Sequence, residues 1–334
     1  MNGGQINMKT KNFNIKGFRL IAQSSQYDLI KYTGNVFKVV YGEENCVLEE
    51  EFVFAKGANE ILLVAHLDTV HSEAPKMIFL DANLGVLYSP EGIGGDDRCG
   101  VFSILYIMNH CRKNNIPLPS ILFVTDEETG CKGAKKAMVN KEIIERIKEL
   151  RFVIEIDRKG KDDMVFYGCN NLAFEKYIGS FGFKHDTGSC SDISSLCPEW
   201  NIAGVNLSHG VYKCHTKDEM IYIDEMFDTI NKIIRILKDE KTEKYVYKEI
   251  KYLPKYENKF NKKFNRREKH SWQTQARLGI VKDYPESSIQ FDYIPSVYLR
   301  NPKWGEYILS CDKTTAMALI DADIKESNNR KSYA

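Results

Sequence analysis

The chain has 334 residues, 43% of them hydrophobic and 28% charged, a composition that sits in the globular range and excludes a peptide hormone or a single small module. Its 47 basic and 46 acidic side chains leave a net charge of +1, which argues against whole-protein attraction to nucleic acid or anionic lipid. The charge is unevenly spread: residues 241–334 hold 19 Lys or Arg and 12 Asp or Glu, so residues 1–240 are acidic by six. No run reaches the roughly eighteen apolar residues that a membrane helix needs, and Met1 to Gln23 contains no secretory apolar core, so the expected compartment is the cytoplasm. Nine cysteines without a CxxC pair suit reduced thiols better than a disulfide framework.

Taken in chain order, a helix is predicted over Tyr27 to Tyr32 and strands over Val47 to Ala55 and Ile61 to Ala65. The second of these strands runs into His66-Leu67-Asp68. Residues two apart on a strand share a face, so His66 and Asp68 project into one site at a strand's carboxyl end, where open α/β sheets bind ligands. Taken alone, the pair is equally compatible with a core histidine. Strands over Met77 to Leu80 and Val86 to Tyr88 then precede a Gly-rich turn, Gly92-Ile93-Gly94-Gly95, which presents Asp96 and Asp97 just before a helix over Gly100 to Lys113. Adjacent carboxylates repel unless a cation or proton holds them, although capping of the helix is the plainer reading.

A strand over Ser120 to Thr125 ends in Asp126-Glu127-Glu128, and helices follow over Gly133 to Val139 and Lys141 to Lys148. The strand Phe152 to Ile156 ends in Asp157. Further on come a strand over Met164 to Tyr167, a helix over Leu172 to Phe181, a strand over Ile202 to Leu207, the run Lys213-Cys214-His215-Thr216-Lys217-Asp218-Glu219, and a helix over Asp224 to Leu237. This alternation predicts an α/β sheet covered by helices and ending near residue 240. Beyond it, residues 241–270 hold 11 basic and 4 acidic side chains among interleaved tyrosines and phenylalanines. That composition reads as a linker or surface segment, with nucleic acid the alternative partner. Strands are predicted at Ile289 to Leu299 and Tyr307 to Ser310, and a helix at Thr314 to Ile320, with no recognisable fold.

Each acidic or histidine-bearing loop has an ordinary explanation when taken singly. Together, His66, Asp96, Glu127, Asp157 and His215 follow one another at intervals of 30, 31, 30 and 58 residues. Strand ends so spaced converge at one edge of a doubly wound sheet, so the pattern predicts one shared metal site. Imidazole and carboxylate donors without thiolate suit zinc, with cobalt or manganese as substitutes, and they suffice for two ions.

The runs HLDTV, GGDD, DEETG, EID and HTKDE resemble, in order and context across residues 60–225, the co-catalytic dinuclear zinc exopeptidases. That superfamily includes leucyl aminopeptidases, peptidase T and glutamate carboxypeptidases. The resemblance implies a three-layer α/β/α zinc-peptidase domain (phosphorylase/hydrolase-like) with a mixed central sheet over residues 1–240, plus a C-terminal extension of unknown fold over 241–334. It implies that Asp96 bridges two Zn2+ ions, that His66 and Asp157 complete one site, and that Glu128 and His215 complete the other. Glu127 would be the general base, Asp68 would orient His66, and the peptide joining Asp96 to Asp97 would be cis. His209 competes with His215 for the last position. The short interval before His215 resembles the compact aminopeptidase branch, which has no lid domain. Asp192 is a candidate for substrate contact, with Asp186 and Glu155 as others; His71, His110, His185 and His270 have no supporting context. The expected substrates are short peptides or N-acyl amino acids, and an oligomer is possible. Single-zinc glutamine cyclisation and a non-catalytic binding module are the rival readings.

Overall fold

The computed structural model describes residues 13–240, 243–249 and the pair 289–290. Most of the basic stretch 241–270, the predicted strand at 289–299 beyond its first two residues, the predicted strand at 307–310 and the helix at 314–320 therefore lie outside the described residues.

Two helices open the described residues, α1 (Ile15–Ala22) and α2 (Gln26–Tyr41), the second capped by Ser25, whose hydroxyl accepts from the Asp28 amide. The sequence predicts only Tyr27 to Tyr32 here. The helix runs on through Gly34 because Val36, Phe37 and Tyr41 extend its buried face. The strand predicted over Val47 to Ala55 is two strands, β1 (Cys46–Leu48) and β2 (Phe52–Ala55), paired antiparallel as a hairpin that turns at three consecutive glutamates.

The remaining elements are β3 (Asn59–His66), β4 (Phe79–Asp81), β5 (Val86–Tyr88), α3 (Gly95–Lys113), β6 (Pro119–Val124), α4 (Lys132–Met138), α5 (Lys141–Arg146), β7 (Phe152–Arg158), β8 (Asp163–Val165), α6 (Leu172–Gly179), β9 (Lys184–His185), α7 (Asp192–Trp200), β10 (Gly204–Ser208), β11 (Val211–Tyr212), β12 (Met220–Tyr222), α8 (Ile223–Leu237) and β13 (Ile289–Gln290).

Eight strands form one mixed sheet in the order β1-β2-β6-β3-β7-β10-β8-β9. Its four central strands, β6, β3, β7 and β10, are mutually parallel. They are apolar on both faces, as a sheet covered on two sides requires. On β3, Leu63 and Ala65 join the hydrophobic core shared with α1, α2, α3 and α8, while Leu62 and Val64 join a second core shared with α4 and α7. This is the three-layer α/β/α arrangement expected of the zinc-peptidase fold.

Parallel strands deliver their carboxyl ends to one edge. His66 closes β3, Thr125 to Glu128 follow β6, and Asp157 lies near the end of β7. A second sheet, ordered β11-β12-β5-β4-β13, stands over that edge. Its β11–β12 hairpin carries residues 213–219, and so His215.

The segment 243–249 folds back onto the domain. Tyr245 is buried, with its ring centroid 5.0 Å from Phe174, 5.7 Å from Tyr177 and 6.0 Å from Phe152. Glu249 forms a backbone bridge with Cys169.

Candidate active site

The metal-ligand candidates meet where these loops converge. Asp96 stands between two imidazoles: its Oδ1 is 3.1 Å from His66 Nε2 and its Oδ2 is 3.1 Å from His215 Nε2. The same His66 Nε2 is 3.5 Å from Asp157 Oδ1, and His215 Nε2 is also 3.1 Å from Glu128 Oε1. Two sets of donors thus share one carboxylate: His66, Asp96 and Asp157 on one side, and His215, Asp96 and Glu128 on the other.

The local folding explains the convergence. Gly94 adopts a left-handed conformation (φ 63°), the Asp96-Asp97 peptide is cis, and Asp96 and Asp97 keep non-helical dihedrals before α3 proceeds. Asp97 turns inward and is fully buried. Its Oδ2 accepts from the His66 amide at 3.2 Å and its Oδ1 from the Gly100 amide at 2.9 Å, so it ties the end of β3 to the start of α3. Gly100 is needed for this approach, because a Cβ there would come within 2.2 Å of the Ile156 carbonyl oxygen. Ligand atoms of His66, Asp97 and Asp157 also lie within 4.8 Å of one another, as do those of His66, Asp96 and Glu128. With both oxygens engaged by backbone amides, Asp97 is a support, whereas Asp96 faces the open side.

Asp68 follows His66 and braces three groups at once. Its Oδ1 is 3.2 Å from His66 Nδ1 and accepts from the Glu127 amide at 3.0 Å, while Oδ2 accepts from the Glu128 amide at 3.1 Å. Carboxylate, imidazole and acidic loop are therefore one unit, in the arrangement that fixes the orientation of a metal-bound histidine. Asp126, with φ 57°, turns the chain sharply at the start of that loop. Glu127 and Glu128 then diverge: Glu128 faces His215, while Glu127 Oε1 receives only a long contact, 3.8 Å, from the Cys131 thiol.

The electrostatics follow from burial and crowding. Burial is the largest influence on Glu128 and on Asp157; with Asp96 beside each, both carboxyls rise to about 7. Burial likewise raises Glu127. Burial pulls His66 toward the neutral form, but hydrogen bonds to Asp157, Asp68 and Asp96 outweigh it and raise its pKa well above the ordinary value. The bond to Asp96 raises His215 to about 9. Acidic groups held this close call for a cation, and Glu128 Oε1 is buried, 3.1 Å from His215 Nε2 but without a well-directed hydrogen bond among the described residues. A donor set of two imidazoles and three carboxylates fits one or two divalent ions of the zinc kind.

The structure also places the four other candidates. His209 is fully buried; its Nδ1 donates to the Ile156 carbonyl at 2.7 Å and lies 3.4 Å from Asp97, so the structure brings His215, not His209, to Asp96 and Glu128. Asp192 opens α7 inside the protein, fully buried, with neither oxygen hydrogen-bonded among the described residues. Glu155 is also fully buried, and Asp186 pairs with Arg158.

The structure adds supports that strand-end reasoning does not reach. Glu219 is buried, its Oε2 accepting from the Gly95 amide at 3.0 Å and its Oε1 from the Asp96 amide at 3.1 Å. It was visible only as the last letter of HTKDE. Asn206, Ser191 and Tyr167 form a network behind Asp157 for which the sequence carries no local signal.

Residues 52–193 match the profile of Peptidase family M28. No curated protein sequence matches the chain. Among solved structures, the aminopeptidase PepT of Bacillus cereus ATCC 10987 is similar over 70% of this chain and 98% of its own, with 15% identity and a TM-score of 0.52. A tripeptidase of Staphylococcus aureus subsp. aureus mu50 gives 15% identity, 70% and 99% coverage and 0.52. An aminopeptidase of the archaeon Desulfurococcus kamchatkensis gives 12%, 71% and 96%, and 0.50. These likenesses establish the fold. With the profile match they bear out the resemblance to the dinuclear zinc exopeptidase superfamily. The profile match spans less than half of the chain, and it supports a metal-dependent hydrolase. Among the described residues no helix is long and apolar enough to cross a membrane.

Proposed function

We propose that this chain is a dinuclear zinc aminopeptidase that removes the first residue of short peptides. The observation that supports this most directly is Asp96, with one imidazole 3.1 Å from each of its carboxylate oxygens, a bridging position between two donor sets. In this reading His66, Asp96 and Asp157 hold one Zn2+, and His215, Asp96 and Glu128 hold the other, with Co2+ or Mn2+ able to substitute. Ions bound there supply the charge that polarises a scissile carbonyl and acidifies an attacking water.

The chain's own residues do the rest. Glu127 pairs with no histidine at ion-pair distance among the described residues, and burial raises its proton affinity against the nearby charge of His66, which suits it to take the proton of the attacking water and pass it to the leaving amine. Asp68 keeps His66 oriented and sets the backbone from which Glu127 and Glu128 diverge. His215 sits at the exposed rim of the site, with its side chain 54% accessible, so substrate reaches the centre from that side. The compact interval of 58 residues from Asp157 to His215 accommodates no lid domain, which favours short, unblocked peptides. All eight cysteines among the described residues are free, in keeping with the cytoplasm.

The test pairs metal content with substrate. Wild-type protein supplied with zinc should contain two ions and hydrolyse dipeptides but not N-acetyl amino acids, and His215→Ala should hold one. Preference for N-acetyl amino acids would make the chain a deacylase on the same machinery. One ion that survives His215→Ala would refute the dinuclear reading.

A further inference from the structure

Asp157 is held from behind by a side chain far away in sequence. Asn206 lies on β10, directly paired in register with Glu155 on the neighbouring parallel strand β7, two residues before Asp157. It is buried, and it contacts Asp157 twice. Its Oδ1 accepts from the Asp157 amide at 2.9 Å, and its Nδ2 donates toward Asp157 Oδ2 at 3.3 Å. The first contact fixes which end of the carboxamide is oxygen, so the second must be a donor. Nδ2 is also 3.0 Å from the Tyr167 hydroxyl and 3.2 Å from Ser191 Oγ, and Ser191 in turn hydrogen-bonds Glu155 and reaches Asp157 Oδ2 at 3.3 Å.

The two carboxylate oxygens of Asp157 are thereby made unequal. Oδ2 faces Asn206 and Ser191, whereas Oδ1 is left toward His66 Nε2, 3.5 Å away. A free carboxylate rotates about its terminal torsion with little preference. Here the carboxamide, itself anchored by the β10 register and by Tyr167, removes that freedom.

We propose that Asn206 is the positioning residue of the first metal site, presenting Oδ1 of Asp157 to the ion while occupying Oδ2. The proposal rests on the reading of Asp157 as a metal ligand. It assigns Asn206 no contact with substrate or with the ion; its action is through Asp157. A carboxamide is suited to the task because one group supplies an acceptor for the backbone and a donor for the side chain. An aspartate there would keep the first and lose the second, and would set like charge against Asp157.

The test is calorimetric titration of chelated full-length protein with zinc, together with the visible absorption of the cobalt-loaded protein, for wild type, Asn206→Asp, Asn206→Ala and Asp157→Ala. Loss of a partner behind a metal ligand typically weakens binding by about 10 to 100-fold. Both Asn206 variants should show that loss at one site and unchanged affinity at the other, with the cobalt spectrum altered for one ion only. The intact second site reports that each variant is folded, and Asn206→Asp, nearly isosteric, stands in if Asn206→Ala does not fold. Two ions of wild-type affinity in both Asn206 variants, with one lost in Asp157→Ala, would overturn the positioning role and leave the dinuclear reading intact. Two ions retained in Asp157→Ala would remove Asp157 from the ligands, and the proposal would fall with it.

Discussion

Asp68→Asn isolates the brace on which both donor sets lean. The carboxylate uses Oδ1 for the Glu127 amide and for His66 Nδ1, and Oδ2 for the Glu128 amide. A carboxamide of the same shape has one oxygen. If that oxygen takes the Oδ1 position, the NH2 group meets the Glu128 N–H head on. A buried donor left without an acceptor costs about 1 to 3 kcal/mol, and His66 exchanges a charged acceptor for a neutral one, worth roughly a further 1 kcal/mol. The metal-free variant should therefore unfold with about 2 to 4 kcal/mol less stability than wild type in urea. Once zinc is supplied, affinity should fall about 10 to 100-fold as His66 loses its orientation. Chelated unfolding curves and a zinc titration measure the two effects separately. A variant within about 0.5 kcal/mol of wild type, the usual scatter of inert surface changes, that also binds zinc equally well would show that Asp68 braces neither the loop nor the histidine.

Glu127→Gln should retain both ions while turnover falls about 10² to 10⁴-fold, the usual range for loss of a general base; near-normal turnover in a steady-state dipeptide assay would refute the assignment. Metal-free protein should lose stability as pH rises. Glu128 and Asp157 have folded pKa values of about 7 against ordinary values of 4.5 and 3.8, and His215 about 9 against 6.5, so the native state binds more protons than the unfolded chain across pH 4 to 9. The chelated melting temperature at pH 8 should lie below that at pH 5.5, and zinc should restore it, because the ligands bind metal deprotonated; a chelated protein more stable at pH 8 would contradict the crowding described. Tyr245→Ala should cost about 3 kcal/mol, since it removes a buried ring packed against Phe152, Phe174 and Tyr177. An unchanged urea midpoint would mean that the segment 243–249 adds nothing to the domain.

What the sequence disclosed follows from which parts of the fold are local. The central strands were legible because each is a short apolar run buried on both faces, and their acidic or histidine ends stood out by contrast. The hairpin of β1 and β2 was not, because three glutamates between two apolar runs read equally well as the exposed residues of one continuous strand. The helix α2 was cut short at Tyr32, since Gly34 lowers helix propensity and nothing local reveals that Val36, Phe37 and Tyr41 have a core to enter. The helix α7 has no clear sequence signal because its amino-terminal Asp192 sits in a Ser- and Gly-rich run and Pro198, a helix-breaking residue, lies within it.

The same distinction separates donors from supports within the site. His66, Asp96, Glu128 and Asp157 occupy strand ends or loops at helix starts, positions that a pattern of strands and helices already places together. Glu219 and Asn206 act across 123 and 49 residues of chain, through hairpin geometry and strand register. Register is decided only when β10 settles beside β7, with Val205 packing on Ile154 in one core and Asn206 turning into the site behind Asp157. A one-residue slip would reverse the two, putting a polar amide into the apolar layer and an apolar side chain behind the carboxylate. The packing that stabilises the sheet is therefore the same constraint that aims Asp157. This predicts that variants in the apolar contacts of β10, such as Val205→Ala, weaken metal binding at the first site more than at the second. Equal weakening at both sites would mean that the register of β10 does not control the first site in particular.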